Sequence, residues 1–313
     1  MLRLLANRLA LSVPLLFVVS VLVFGLASLV PGDAARTILG EQATPEAVAY
    51  LRNQLGLDQP WYERYGSWLA GVLHGDFGTS ILSGQDVWTT LNTRLGVTLS
   101  LVLTALVVST VIGVALGLVS AVRGGVLGRV VDVLSLIGLA LPNFWIAIVL
   151  VSLFAVQFRL FPATGYVPLT ASPSEWISSL AMPVAALSLL GIAIIGKQTR
   201  DSVLDTLGAE YVRVLRANGV SERRIVFVHV LRNAAIPIVT AMGVVAVGMV
   251  GGSVFIESVF VLPGLGSLAT QSTLDHDLPV ILGLGVYFTM LVIVVNVLVD
   301  LAYGFLNPKV RAS

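Results

Sequence analysis

Six runs of this chain are apolar for long enough to cross a lipid bilayer, and no other feature limits its fold as strongly. A helix rises about 1.5 Å per residue, so a hydrocarbon core of about 30 Å needs roughly 20 apolar residues. The runs cover residues 9–30, 97–122, 133–158, 178–195, 236–261 and 279–303. Composition agrees. Of 313 residues, 57% are hydrophobic and 11% charged, where soluble domains carry about 25% charge. The mean hydropathy of +0.95 excludes both an ordinary soluble domain and a disordered chain. The expected fold is an all-α polytopic membrane protein with six transmembrane helices. The first run follows Arg3 and Arg8, yet it exceeds the roughly 7–15 residues of a secretory signal core, and no Ala-x-Ala site follows Val30. It reads as an uncleaved signal-anchor.

The position of charge sets the orientation. With a cytoplasmic amino terminus, the inner segments hold Arg3, Arg8, Arg123, Arg129, Lys197, Arg200, Arg213, Arg216, Arg223, Arg224, Arg232, Lys309 and Arg311. The outer ones hold only Arg36, Arg52, Arg64, Arg94 and Arg159. Thirteen against five places both termini in the cytoplasm. The net charge of +1 offers no basic field of the kind nucleic-acid binding needs. Zero cysteines and three scattered histidines, His74, His229 and His276, predict no metal site.

Two polar excursions interrupt the apolar pattern. The outer one, residues 31–96, carries Tyr50, Trp61, Tyr62 and Tyr65 and predicts short amphipathic helices against the membrane surface or other outer loops. The inner one, residues 197–235, reads Glu210-Tyr-Val-Arg-Val-Leu-Arg-Ala-Asn-Gly219, then Val-Ser-Glu-Arg-Arg-Ile-Val-Phe-Val-His229, then Val-Leu-Arg-Asn-Ala-Ala-Ile-Pro237. This is helix, glycine break, helix. Tyr211, Val214 and Leu215 form one apolar stripe, Gly219 is a helix terminator, and Ser221 an N-cap for a second short helix bearing Ile225, Val226 and Val228. Pieces this short must pack on something. A cytosolic partner groove and a layer of phospholipid headgroups both remain open on the pattern alone.

The inner segment resembles the coupling loop of ABC importer permeases, in the form found in the dipeptide/oligopeptide/nickel permease family. Val214 and Leu215 depart from it, standing where small residues are usual. Other landmarks of that family follow in order: Pro31-Gly32-Asp33, Gly75-Asp76-Phe77-Gly78-x-Ser80, Pro142-x-Phe144-Trp145, Pro162-x-x-Gly165-Tyr166, and Glu257 with Pro263-Gly264-x-Gly266. The resemblance runs the length of the chain. It implies a type I ABC importer permease in a prokaryotic plasma membrane, paired with a second homologous permease subunit as a heterodimer. Two cytosolic ABC ATPase subunits would bind below and an extracytoplasmic solute-binding protein would deliver cargo from above. ATP and magnesium would be held by the ATPases, with no cofactor on this chain. A helix between about Leu215 and Val228 would couple the two kinds of subunit. Glu210, Arg216, Ala217, Glu222, Arg223 and Arg224 would be its contacts, Gly219 its turn, and His229, Arg232 and Asn233 its lock against the helix ends.

Gly191-Ile-Ala-Ile-Ile-Gly196-Lys197-Gln198 has the spacing of a phosphate-binding loop but lacks the final Ser or Thr and sits in an apolar span. Its glycines are expected to pack helices closely and Lys197 to mark the inner boundary. Glu257, twenty residues beyond Pro237, falls at the outer mouth, either lining the entrance, coupled to the loop around Pro263, or reaching water as an interfacial carboxylate. Asp300 falls at the inner boundary and calls for an arginine partner. Asn143 and Asn296, deeper in the spans, suit interhelical hydrogen bonds or a polar pore, and Pro142 should bend or break the third span. No catalytic constellation and no intramembrane line of acids is present, which sets aside an enzyme and disfavours a proton-driven secondary carrier. The resemblance makes di- or oligopeptides the expected cargo, with nickel chelates or glutathione as the alternative.

Overall fold

The computed structural model describes residues 2–29, 32–40 and 42–306. Val30, Pro31, Glu41, Lys309 and Arg311 lie outside the described residues. Five helices among these residues are long and apolar enough to cross a membrane. They are α1 (Leu2–Leu29), α5 (Val87–Arg123), α8 (Pro173–Leu207), a continuous helix from Glu222 to Phe260, and α13 (Leu278–Leu306). Between α1 and α5 lie three short helices: α2 (Ala34–Leu39), α3 (Pro45–Gln54) and α4 (Trp61–Leu73). No β-strand occurs among the described residues; the backbone there is helix, turn and one isolated bridge, Thr79 with Asp86.

The expected third span, 133–158, is not one helix. It divides into α6 (Gly125–Ala140) and α7 (Asn143–Leu150), the latter running on in wider π turns through Val151–Gln157. Leu141 and Pro142 between them are extended, with ψ of 125° and 135°. Proline has no N–H to donate and pushes its predecessor out of the helical region, so the break falls where the sequence puts it.

α5 and α8 form the packed centre. Their contact is made by glycines: a Cβ on Gly117 would lie on the carbonyl of Gly196 and 2.7 Å from Thr199 Cβ, and one on Gly113 would lie 3.0 Å from Ile195 Cβ. Small residues let two backbones approach where lipid offers no hydrophobic drive for association. Gly191 and Gly196 are thus packing positions. Lys197 belongs to an ion cluster in the C-terminal part of α8: it reaches Asp201 at 3.2 Å, while Arg200 reaches Asp132 of α6 at 3.3 Å. Arg8 of α1 pairs with Asp300 of α13 at 2.7 Å, giving Asp300 the partner its position required.

The three short helices are tied down. Asp33 caps α2 by accepting from the Ala35 amide at 3.0 Å and pairs with Arg52 at 2.7 Å; Arg52 also reaches Asp58 at 3.0 Å. Burial pushes the Asp33 carboxyl up, but the Arg52 and Ala35 hydrogen bonds and the Arg52 and Arg36 charges outweigh it and hold it below its ordinary value. Tyr65 of α4 is buried against α1, its hydroxyl 2.8 Å from Ser20 Oγ. Phe77 and Ser80 of the following turn join α13: Phe77 packs with Val87, Leu91 and Tyr287, and Ser80 donates to Asp277, which is itself buried.

Candidate functional site

The inner excursion is more helical than a loop. α8 extends through residue 207, α9 (Glu210–Ala217) follows, and α10 (Glu222–Arg224) passes through π turns at Ile225–Val230 into α11 (Leu231–Phe260). The expected coupling helix over Leu215–Val228 is therefore a turn between two helices, and the second is the first part of the 39-residue helix Glu222–Phe260. The turn is a Schellman motif. Val220 N donates to Leu215 O at 3.1 Å and Gly219 N to Arg216 O at 3.0 Å, with Gly219 at φ 75°. Ser221 stands at the N-cap, but its side chain makes no capping bond.

The apolar faces also differ from the expected stripe. Val212 is the buried residue of α9, with Leu215 and Val220 partly buried, while Val214 is 58% exposed. Ile225 and Val226 are buried, whereas Phe227 and Val228 are exposed. With Val203 and Leu207 of α8, Val212, Leu215, Val220 and Ile225 belong to the main core. α9 thus finds its packing surface within its own chain. Helical spacing alone permits either stripe on α9; what chose Val212 was the direction in which α8 leaves it, and that is not written in the local sequence.

Glu210, Arg216, Ala217, Gly219, Glu222, Arg223, Arg224, Arg232 and Asn233 are exposed, and His229 is half-buried. The turn brings Arg216 and Glu222 together at 2.7 Å in a two-pronged pair. The hydrogen bond from Arg216 lowers the Glu222 carboxyl below its ordinary range. Asn233 donates to Tyr211 Oη and to the His229 carbonyl, both at 2.9 Å, fastening α9 to the start of the long helix. The other members stand apart. Glu210, Arg223, Arg224, His229 and Arg232 make no side-chain ion pair among the described residues. The outward surface of the turn is therefore one closed ion pair among the unpaired charges of Glu210, Arg223, Arg224 and Arg232, with Val214, Phe227 and Val228 as exposed apolar groups.

At the other end of α11, Glu257 is fully buried and does not reach water. Its Oε1 accepts from Thr98 Oγ1 of α5 at 2.7 Å, and its Oε2 accepts from the amides of Gly266 and Ser267 at 2.7 and 3.0 Å. Those amides open α12 (Leu265–Leu274), whose positive end suits a carboxylate. Thr98 Oγ1 in turn accepts from Leu265 N at 2.8 Å. Gly264 and Gly266 are required there, since a Cβ on Gly264 would lie on the carboxylate and one on Gly266 would stand 2.5 Å from Val254 Cα. The bonds from the Gly266 and Ser267 amides tie Glu257 to the segment that follows Pro263. Its partner Thr98 had no signal in the sequence. Gly165 N also donates to Phe260 O at 3.1 Å, so the segment after the third span joins the same corner.

The two asparagines are not brought together. Asn143 begins α7 half-buried beside Gly252, its Nδ2 3.4 Å from where a Cβ on that glycine would lie. Asn296 is exposed on α13, in a groove of about 390 Å³ that also holds Thr240, Asp300 and Tyr303.

Comparison with known proteins gives a consistent result. The family model described as the binding-protein-dependent transport system inner membrane component matches residues 113–312. The model for the membrane component's N-terminal region matches residues 1–102. A peptide transport system permease protein of Brucella abortus (strain 2308) is 40% identical over 312 residues, covering 99% of each chain. The peptide ABC transporter permease protein y4tP of Sinorhizobium fredii is 36% identical over 306 residues, covering 97% of this chain and 98% of its own. The dipeptide transport system permease protein DppB of Escherichia coli (strain K12) is 33% identical over 336 aligned residues, covering 99% of each.

Proposed function

Because the chain belongs to the family of binding-protein-dependent transport system inner membrane components, and is thus a multi-pass plasma-membrane transport protein of an ABC system, we propose that it forms half of the pore of a peptide importer. The other half is a second, homologous permease subunit. An extracytoplasmic solute-binding protein delivers the peptide, and two cytosolic ATPases hold ATP and magnesium, leaving this chain without a cofactor. Its membrane crossings are α1, α5, the broken α6–α7 pair, α8, the helix from Glu222 to Phe260, and α13, with both ends of the chain in the cytoplasm.

The observation that carries the reading is the α9–α10 turn: a rigid, outward-facing knob whose buried side is fixed to the ends of two spanning helices. Val212 and Ile225 are completely buried, so a force on the exposed face moves α8 and α11 and is not lost in bending the turn. Closure of the ATPase pair would tilt those helices, and the Glu257 contact to α12 and α5 would pass the tilt to the outer mouth. Peptide as cargo follows the names of the relatives and suits spans that do not grip their load with charge.

The test is ATP turnover of the complete assembly in proteoliposomes, with and without peptide-loaded binding protein. Val226→Pro interrupts the first turns of the long helix at a cost of about 3 kcal/mol or more. Val214→Glu alters only the exposed face and leaves folding intact. Both are expected to reduce peptide-stimulated turnover to its unstimulated level. Stimulated turnover unchanged in both would remove the coupling role.

A further inference from the structure

Beside the Glu257 contact lies a cavity of about 420 Å³, within the range of small-ligand sites. Arg94 lines it from α5, one helical turn outward of Thr98. Ser267, Thr270 and Gln271 line it from α12, at the i, i+3, i+4 spacing that puts them on one face. Ser258 and the left-handed Val261, at φ 52°, close it from the end of α11.

Arg94 is half-buried, and no hydrogen bond or ion pair engages it among the described residues. Glu257 lines the same cavity within range of the Arg94 charge, but no hydrogen bond or ion pair joins the two, and the carboxylate is held by Thr98, Gly266 and Ser267. A guanidinium always carries its charge and presents a fork that matches a carboxylate. The facing wall offers hydroxyls and an amide, groups that satisfy peptide N–H and C=O without adding charge.

We propose that this cavity is a subsite at the outer mouth for the terminal carboxylate of a peptide, with Arg94 as its anchor. The inference rests on the reading of the chain as a peptide permease and adds the group by which the permease itself receives its cargo. The site is built on rigid parts, since α5, α11 and α12 are tied at its floor by the four hydrogen bonds around Glu257 and Thr98. Besides Arg94 the lining carries one other charged group, Glu257, held by its own hydrogen bonds at the floor, so Arg94 is the only cation offered to a ligand there.

The experiment uses the complete permease–ATPase assembly in nanodiscs and Ala-Ala-Ala as probe, supplied as the free acid and as the C-terminal amide. Binding is read by saturation transfer to the peptide methyls. Wild type is expected to favour the free acid about tenfold, the worth of one hydrogen-bonded charge pair. Arg94→Gln abolishes the preference and Arg94→Lys keeps part of it; recovery by lysine also shows that the assembly has not merely misfolded. Equal transfer from acid and amide in wild type, or a preference that survives Arg94→Gln, overturns the proposal. If Arg94→Gln weakens capture of peptide-free binding protein while leaving the acid preference intact, the carboxylate belongs to that protein, and the proposal fails. ATP-dependent uptake of Ala-Ala-Ala by the wild-type assembly with its binding protein in proteoliposomes keeps the two readings apart: uptake without acid preference rejects the subsite alone, whereas absence of uptake rejects the peptide permease reading.

Discussion

Glu257 shows how much a single buried residue organises at the outer end of this protein. Its carboxylate takes three hydrogen bonds from two other elements, and each donor, left unmade in a dry site, costs about 1–3 kcal/mol. Glu257→Leu is therefore expected to lower the apparent melting midpoint in detergent far more than Glu257→Gln, which keeps one accepting oxygen and a donor for Thr98. Equal loss in both would mean that shape and not hydrogen bonding matters there. Val261 makes the opposite prediction. A β-branched residue at φ 52° stores about 1–2 kcal/mol of strain, so Val261→Gly should raise the same midpoint. Glu257 was visible in the sequence as a lone acid near the end of an apolar run. Its role was not, because Thr98 lies 159 positions away and looks like any other threonine in a span.

At the scale of elements, the spanning helices were legible because lipid demands length and apolarity and both can be counted along the chain. Their ends were not. α5 has 37 residues and α8 has 35, roughly 50 Å or more, so each continues beyond the hydrocarbon into polar sequence that no apolar run marks. The break at Pro142 was legible for a local reason, the missing amide; the closeness of α5 and α8 was not, although its glycines were in view. Gly117→Leu should therefore prevent close approach and lower yield and melting midpoint, whereas Gly25→Leu, with nothing within 4 Å of its Cβ, should change neither. The short helices predict a pH effect. The folded Asp33 carboxyl titrates below its ordinary value of 3.8, so its contribution is complete above that value and disappears as pH falls through the lower one. Protection of the α2 and α3 amides against exchange, taken relative to their intrinsic rates, should hold from pH 7 to about pH 4 and fall below it. Asp33→Asn should show the reduced protection already at neutral pH, by less than about 1 kcal/mol for so exposed a pair.

Across the whole molecule, two fixed corners lie at opposite ends of the helix from Glu222 to Phe260: the α9–α10 turn at its start, and the Glu257 contact with α5 and α12 at its end. A helix of 39 residues, some 58 Å at about 1.5 Å per residue, joins them, and in the proposed importer it is the lever. The first corner was readable as a motif, since its chemistry lies within 24 consecutive residues, Glu210 to Asn233. The lever was not, because the sequence divides it into a polar loop and an apolar span, while the backbone runs helical through both. Peptide uptake into proteoliposomes holding this chain, its partner permease, the ATPases and the binding protein tests the account most directly. Uptake that requires ATP inside and is lost with Val214→Glu, while the assembly stays intact, is the predicted result. Uptake driven by a proton gradient with the ATPases absent would contradict it.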